Sequence, residues 1–173
     1  MAFLEEDGTG LAAANSYGSV ADFKTYHKDR GTALPDGTLS SGIEDALVKA
    51  TDYVDRRWRN RFIGVRDTET QRLRWPRRRA RYPDGRLIAE GTLPAELLET
   101  IYEFGFIALT TPLSTVPTVD ASGALIQETR IKVGPIETET IFSQGAGKVD
   151  FRSYPEIEAL LVEIIHPGAG AIR

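Results

Sequence analysis

The sequence predicts a mainly α fold: a small bundle of about four helices with an inserted β-hairpin or extended arm, and flexible N- and C-terminal arms. Three observations carry this. Apolar residues recur at helical spacing in separate segments, the period changes to alternation between Thr129 and Phe142, and both ends are rich in small residues without any apolar period. A chain of 173 residues with 41% hydrophobic content can bury one sizeable core, so a single domain over 1–173 is expected. Within it fall an N-terminal arm (1–15), a helical core (16–111) containing a basic loop (56–86), a linker and β-hairpin arm (112–150), and a C-terminal helix and tail (151–173).

Residues 1–15 hold Gly, Ala and acids with no apolar period, hence the extended arm. Ser19 before Val20 is an N-cap signal with Asp22 in the first turn, and Val20, Phe23 and Tyr26 keep helical spacing as far as Gly31, suited to the C′ position. Leu34-Pro-Asp-Gly is turn chemistry. Ser40 or Ser41 then caps the strongest helix of the chain, where Ile43, Leu47, Ala50 and Val54 recur at spacings of four, three and four, up to about Arg59. From Phe62 to Gly91 the pattern gives way to Gly, Pro and Arg. A short helix is expected over Thr68 to Leu73, stopped by Pro76, and a tight turn at Tyr82-Pro-Asp-Gly.

A third helix starts near Pro94, a residue favoured at the first helical position, and runs through Leu97, Leu98, Ile101, Phe104 and Ile107 to about Thr110. Gly105 inside it costs up to about 1 kcal/mol relative to alanine, for which close helix–helix approach is one reason. Pro112 to Gly123 reads as a linker. Thr129 to Val133 alternates, Gly134-Pro135 breaks the run, and Ile136 to Phe142 is rich in β-branched residues, which predicts a two-stranded hairpin. Two strands alone are marginal in water, so the hairpin should gain partners, a neighbouring subunit included. Tyr154-Pro-Glu-Ile opens a last helix through Ile157, Leu160, Leu161, Ile164 and Ile165, ended by Pro167 and a glycine-rich tail expected to be mobile.

The absence of cysteine excludes disulfides, thiolate metal sites and cysteine nucleophiles. No segment approaches roughly eighteen consecutive apolar residues, and the acidic start lacks the basic and apolar pattern of a signal peptide, so no membrane partner is expected and synthesis in the cytoplasm is. His27 and His166 lie far apart, without an H-E-x-x-H pattern or a phosphate-binding glycine loop ending in Lys-Ser/Thr. His27 reads as a half-exposed surface residue, Gly8-Thr-Gly and Gly145-Ala-Gly as flexible turns, and the pairs Glu5-Glu6 and Glu137 with Glu139 as solvated acids. No catalytic, cofactor-binding or metal-binding constellation emerges, which points away from an enzyme.

Charge is the informative signal. Arg56 to Arg86 holds twelve basic residues, all arginine, against Asp67, Glu69 and Asp84. The segment therefore carries about +9 and the remainder about −13, for a net charge of −4. Such segregation implies a directed partner, either phosphate or an acidic protein surface. Arg72, Arg74, Arg77, Arg78, Arg79 and Arg81 form the candidate contact patch, and with Trp75 and Tyr82 interleaved they could track a nucleic-acid backbone and stack on bases. In the opposing reading Trp58 and Trp75 anchor the core and the arginines pair with acids on adjacent subunits. The overall pI near 5.3 favours protein pairing, since dedicated nucleic-acid binders usually have a basic domain as a whole.

The order of features resembles a family of small tailed-bacteriophage proteins. The matching stretches are Glu6-Asp-Gly-Thr-Gly-Leu-Ala-x-Ala-Asn-Ser-Tyr17, Ser19-Val-Ala-Asp22, Tyr26-His27 through Arg30-Gly31, and Ala50-Thr-Asp-Tyr-Val-Asp55. They continue with Leu73-Arg-Trp-Pro-Arg77, Leu93-Pro-Ala95 and Tyr154-Pro-Glu-Ile-Glu-Ala-Leu-Leu161, so nearly the whole chain is covered. The dense run Arg77 to Arg81 and the glycine-rich tail depart from the pattern. Sequences of this kind are often labelled DnaT-like single-stranded-DNA-binding proteins, while their size and helical plan are similar to head-to-tail adaptor (connector) proteins.

The resemblance implies a structural virion protein of the head–tail neck: a ring, dodecameric by family, that docks beneath the portal and joins the DNA-filled capsid to the next neck or tail-completion protein. It places portal docking on the C-terminal segment, with Tyr154, Ile157, Leu160, Leu161, Ile164, Ile165, Ile172 and Arg173 as candidates. The arginine patch would face either an acidic portal surface or, non-specifically, the packaged DNA. The alternative is a single-stranded-DNA-binding replication accessory protein.

Overall fold

The computed structural model describes residues 2–114 and 153–166, and the backbone of 126–132 and 137–142. Among these residues the fold is mainly helical, with four helices and an antiparallel hairpin. The elements are α1 (Val20–Asp29), α2 (Ser40–Trp58), β1 (Val65–Arg66), β2 (Arg77–Arg78), α3 (Ala95–Ala108), β3 (Ile126–Lys132), β4 (Glu137–Phe142) and α4 (Pro155–Leu160). The chain divides into two compact units, Met1–Leu113 with Ser153–Arg173, and Ser114–Arg152.

Helix α1 begins and ends where local chemistry dictates. Ser19 Oγ accepts the Asp22 N–H at 2.9 Å, and at the far end Gly31 N–H reaches Lys28 O at 3.0 Å while Thr32 N–H reaches His27 O at 2.9 Å. This is the Schellman arrangement, with Gly31 at φ +69° in the left-handed position that glycine tolerates best. Helix α2 starts at Ser40 with Leu39 as its N-cap, so neither Ser40 nor Ser41 caps it. Pro94 is likewise the N-cap of α3 rather than its first residue.

The core of the helical unit lies between α2 and α3. Ile43, Leu47, Ala50 and Val54 on one helix and Leu97, Ile101 and Phe104 on the other are all fully buried. Each such large side chain is worth roughly 1.5–3 kcal/mol of transfer free energy. A Cβ on Gly105 would lie 3.1 Å from the Phe23 ring and 3.3 Å from Leu47, so at this glycine α3 packs tightly against side chains of both α1 and α2. Phe104 joins three elements through rings: Tyr53 at 4.9 Å and Trp58 at 6.2 Å on α2, and Tyr154 at 5.6 Å at the entrance of α4.

The N-terminal segment lacks periodicity because main-chain hydrogen bonds hold it. Asn15 N–H and Glu6 N–H donate to Leu4 O and Ser16 O, both at 2.8 Å. Glu6 is buried, not solvated: its Oε1 accepts from Gly8 and Gly10 N–H at 3.1 and 2.8 Å, and its Oε2 from Leu11 N–H at 2.9 Å. Gly8-Thr-Gly is therefore a wrap around a carboxylate, not a flexible turn. His27 is also buried, against expectation, because α1 lays it against the Phe23, Tyr26 and Phe106 rings of the unit's interior. Its Nε2 lies 3.2 Å from Tyr102 O, a carbonyl that can only accept, so that nitrogen carries the proton.

No helix forms over Thr68 to Leu73. Thr68 and Gln71 exchange the reciprocal bonds of a capping box, Gln71 N–H to Thr68 Oγ1 at 3.0 Å and Thr68 N–H to Gln71 Oε1 at 2.8 Å, but the Gln71 amide then donates to Leu73 O and Pro76 O. The box closes a loop instead of opening a helix. Tyr82-Pro-Asp-Gly does form a tight turn, closed by Gly85 N–H to Tyr82 O at 2.9 Å.

Helix α4 is shorter than predicted, and Leu161 to Ile164 continue as turns. The chain then pairs with the segment after α2: Ile63 N–H donates to Ile164 O at 3.1 Å, His166 N–H to Arg61 O at 2.6 Å, and Phe62 bridges Ile165. In the second unit β3 and β4 pair antiparallel, from Ile126 opposite Phe142 to Lys132 opposite Glu137, with an irregularity between Ile126 and Glu128. Residues 1, 115–125, 133–136, 143–152 and 167–173, including Gly134-Pro135, Gly145-Ala-Gly, Ile172 and Arg173, lie outside the described residues.

Candidate functional site

The structure sorts the candidate arginines into two groups. Arg77 is a main-chain clamp. Its Nε donates to Ile63 O at 2.6 Å, Nη2 to Gly64 O at 2.7 Å and Nη1 to Arg74 O at 3.2 Å, and burial lowers its pKa. It ties the loop from Phe62 to Gly64 onto β2. Arg78 pairs with Asp67 at 3.0 Å across the β1–β2 ladder, and Arg81 donates to Gly85 O at 2.9 Å. Arg79 is exposed, with φ +57° and no ion pair among the described residues.

Elsewhere in the basic segment Arg57 holds Glu158 at 2.8 Å, fastening α4 to α2, while Arg66 bonds to Gln71 O and Arg61 to His166 O. Much of the arginine density therefore joins loops to one another. Trp75, the proposed stacking residue, is fully buried, 6.3 Å from the Phe62 ring. Tyr82 is half-buried, with its hydroxyl 3.2 Å from Glu96. A base could not stack on Trp75 in this fold.

What remains is a cleft of about 220 Å³ between the end of α2 and the stretch from Arg72 to Arg74. Its charged lining is Arg56, Arg59, Arg72 and Arg74 with Asp52 and Asp55. Sequence reading placed Arg72 and Arg74 in the patch and missed Arg56 and Arg59 as their companions, although all four stand in the same basic segment. Only the fold brings the helix end against the loop.

The floor of the cleft is a fixed polar network. Asp55 Oδ1 accepts the Tyr17 hydroxyl at 2.6 Å and Oδ2 accepts Arg74 N–H at 3.0 Å, while the Tyr17 oxygen accepts Arg74 and Trp75 N–H at 2.8 and 3.1 Å. Burial pushes the Asp55 carboxyl up to about 6. On the adjacent surface Arg56 and Asp52 form an exposed pair one helical turn apart, at 2.9 Å.

The candidate docking segment is divided. Leu161, Ile164 and Ile165 are buried in their own unit, which removes them from any docking surface. Tyr154, Ile157 and Leu160 are half-buried, and Val162 is exposed at 61%. Among the described residues no group of acids and histidines is placed to hold a metal ion, and no helix is long and apolar enough to cross a membrane.

Over residues 1–173 the sequence matches the family described as "putative DnaT-like ssDNA binding protein". The chain belongs to this family. The match takes in every stretch of the DnaT-like pattern, from the Glu6 wrap to the α4 entrance, and so spans both units. No curated protein and no solved structure matches the chain. The stretches that carry the sequence resemblance fall on structural joints: Glu6 to Tyr17 wraps the buried carboxylate and supplies Tyr17, Ala50 to Asp55 supplies Asp55, and Leu73 to Arg77 supplies the backbone donors that meet them.

Proposed function

We propose that this chain is a non-enzymatic structural subunit of a phage neck. In this reading it is a ring-forming head-to-tail adaptor, a dodecamer made in the host cytoplasm, that docks beneath the portal and receives the next tail component. The carrying observation is the second unit. β3 and β4 pair only with each other among the described residues, so each has one edge of N–H and C=O groups without a strand partner. An isolated two-stranded sheet is marginal in water, and a head-to-tail ring offers each copy a neighbour that completes it. The charge segregation adds support, since a heterologous interface joins two different patches. Portal contact would rest on the exposed face of the C-terminal segment, Val162 included.

A second reading is single-stranded-DNA binding, which the family's description supports more directly than it supports an adaptor. The burial of Trp75 speaks against base stacking, and the arginine-lined cleft speaks for contact with phosphate.

The two part in one experiment. The purified protein is mixed with the portal ring of the same phage and with labelled single-stranded DNA, and each mixture is followed by size-exclusion chromatography with light scattering. Co-migration with the portal at the mass of a ring, with DNA left unbound, is the adaptor outcome. DNA binding without portal association would overturn it in favour of the second reading.

A further inference from the structure

We infer that the loop surface around Arg79 docks on the N-terminal edge around Glu5 of a second copy of this chain. The inference deepens the adaptor reading and rests on it, naming the two patches that a head-to-tail contact would join. Both patches belong to the helical unit.

The basic patch is built on two short pairings. In the β1–β2 ladder Val65 stands opposite Arg78, and further along Arg81 bridges Leu87. All four are exposed, the valine at 54% and the leucine at 59%. Between the pairings the main chain is gripped: Ala80 is fully buried, its carbonyl accepts Ile88 N–H at 2.9 Å, and a Cβ on Gly64 would lie 2.6 Å from Arg78 O. Arg79 is exposed at this point. Among the described residues eight positions take a positive φ; seven are glycine, and the eighth is Arg79 at +57°. A residue with a Cβ is disfavoured in that conformation, so the chain holds an exposed arginine where glycine would sit with less strain. Neither Arg79 nor Arg81 has a carboxylate partner among the described residues.

The N-terminal edge has the opposite sign. Leu4 is exposed at 39%, and Glu5, Asp7 and Asp22 are exposed as well. Burial, then the charges of Asp22 and of Asp7, raise the Glu5 pKa, so the three acids crowd one another. Asp7 accepts from Thr9 N–H and Oγ1 at 2.9 and 2.6 Å and Asp22 from Ser19 Oγ at 2.9 Å, but none of the three acids has a cationic partner among the described residues. Each patch therefore sets exposed aliphatic side chains among charges of one sign. Each also breaks a local preference, one by backbone strain and the other by like-charge crowding, and such breaks mark residues that serve a contact rather than the fold. The opposite patch of a neighbour would supply carboxylates to Arg79 and Arg81, relieve the crowding at Glu5 and cover the aliphatic groups. Val65 and Leu87 decide for a protein partner, since a phosphodiester backbone offers them nothing to pack on.

The test is assembly of the full chain on the portal ring over a range of chain concentrations, followed by size-exclusion chromatography with light scattering. Arg79→Glu and Glu5→Lys should each raise the concentration for half-assembly by about tenfold or more, as like charges brought together do. The chain carrying both reversals should return close to the parent, because opposite charges face each other again. Asp36→Lys, an equal change of charge at an exposed residue outside both patches, should assemble as the parent does. Two milder variants guard against misfolding. Arg79→Gly relieves the left-handed strain and Glu5→Gln the crowding, so at neutral pH both should keep or raise the urea midpoint while still weakening assembly. A purely structural role would lower both readouts together.

Parent assembly with unchanged assembly of either reversal, or with no recovery in the doubly reversed chain, would overturn this pairing and leave the adaptor reading standing. Loss with Arg79→Glu but not with Glu5→Lys would give the basic patch to the portal instead. An equal loss with Asp36→Lys would reduce the effect to net charge and overturn the pairing. A parent that forms no ring on the portal would overturn the adaptor reading and this interface together.

Discussion

Glu6 is 1% exposed and forms no ion pair among the described residues, yet three backbone N–H groups surround its carboxylate. Replacing it with glutamine sets an amide donor against one of those donors, and Glu6→Gln should cost about 1–3 kcal/mol, read as a lower urea midpoint at unchanged slope. Gly8→Ala should cost at least as much, because the backbone is at φ +94° and a Cβ would sit 2.1 Å from Gly91 O. Titration gives a second residue-scale test. Burial lowers the His27 pKa, so as pH falls below about 6.5 the unfolded chain binds a proton that the folded chain does not, and stability declines. Asp55 acts in the opposite sense: with its carboxyl raised to about 6, the folded chain takes up the proton first, and stability rises as pH falls from there toward the ordinary aspartate range. His27→Gln should therefore leave a urea midpoint that rises between pH 7 and 5, and Asp55→Asn one that falls. A chain whose midpoint slope ignored both substitutions would refute the assignment. At this scale little was legible in the sequence. Glu6 and His27 read as surface residues because their partners are main-chain atoms, which carry no letter. Arg77 and Arg79 read alike, although one grips carbonyls and the other stands in solvent.

Elements were far more legible, because caps, periods and turns are local. Ser19 and Gly31 delimit α1 by the bonds that their side-chain oxygen and left-handed backbone allow, and the four-three-four spacing of Ile43, Leu47, Ala50 and Val54 identified the buried face of α2. The failure at Thr68 to Leu73 is equally physical: a capping box supplies a helix entrance only if a helix-forming run follows, and Trp75-Pro76 ends it at once. Two glycines test the packing. Gly42, in the first turn of α2, has nothing within 4 Å of a built Cβ, so Gly42→Ala should stabilise by about 0.5–1 kcal/mol. Gly105→Ala gains the same propensity but drives a methyl against Phe23 and Leu47, both fully buried, and should come out net destabilising by about 1 kcal/mol. Thermal melts showing both substitutions stabilising would mean that α1, α2 and α3 are less closely packed than the structure has them.

At the scale of the whole molecule, sequence reading located the charge but not the cleft, since that needs the end of α2 and the Arg72–Arg74 stretch to meet. It located the hairpin from the alternation of Thr129 to Val133 and the β-branched run Ile136 to Phe142, and a hairpin marginal on its own is the feature from which assembly is argued. The helical unit is formed by both chain ends, with the C-terminal stretch stitched to Arg61, Phe62 and Ile63. Among the described residues the core side chains, from Ala14 to Ile165, all belong to this unit. Replacing residues 115–150 with a flexible glycine–serine linker should therefore leave a cooperative unfolding transition with its urea midpoint nearly unchanged, because the core loses none of these side chains. The same variant should fail to form a ring on the portal, since the strands that a neighbour would complete are gone. Assembly of the deleted chain on the portal at wild-type mass would separate the hairpin from the ring and leave the adaptor reading without its carrying observation. Loss of the cooperative transition would instead mean that the helical core depends on the replaced segment.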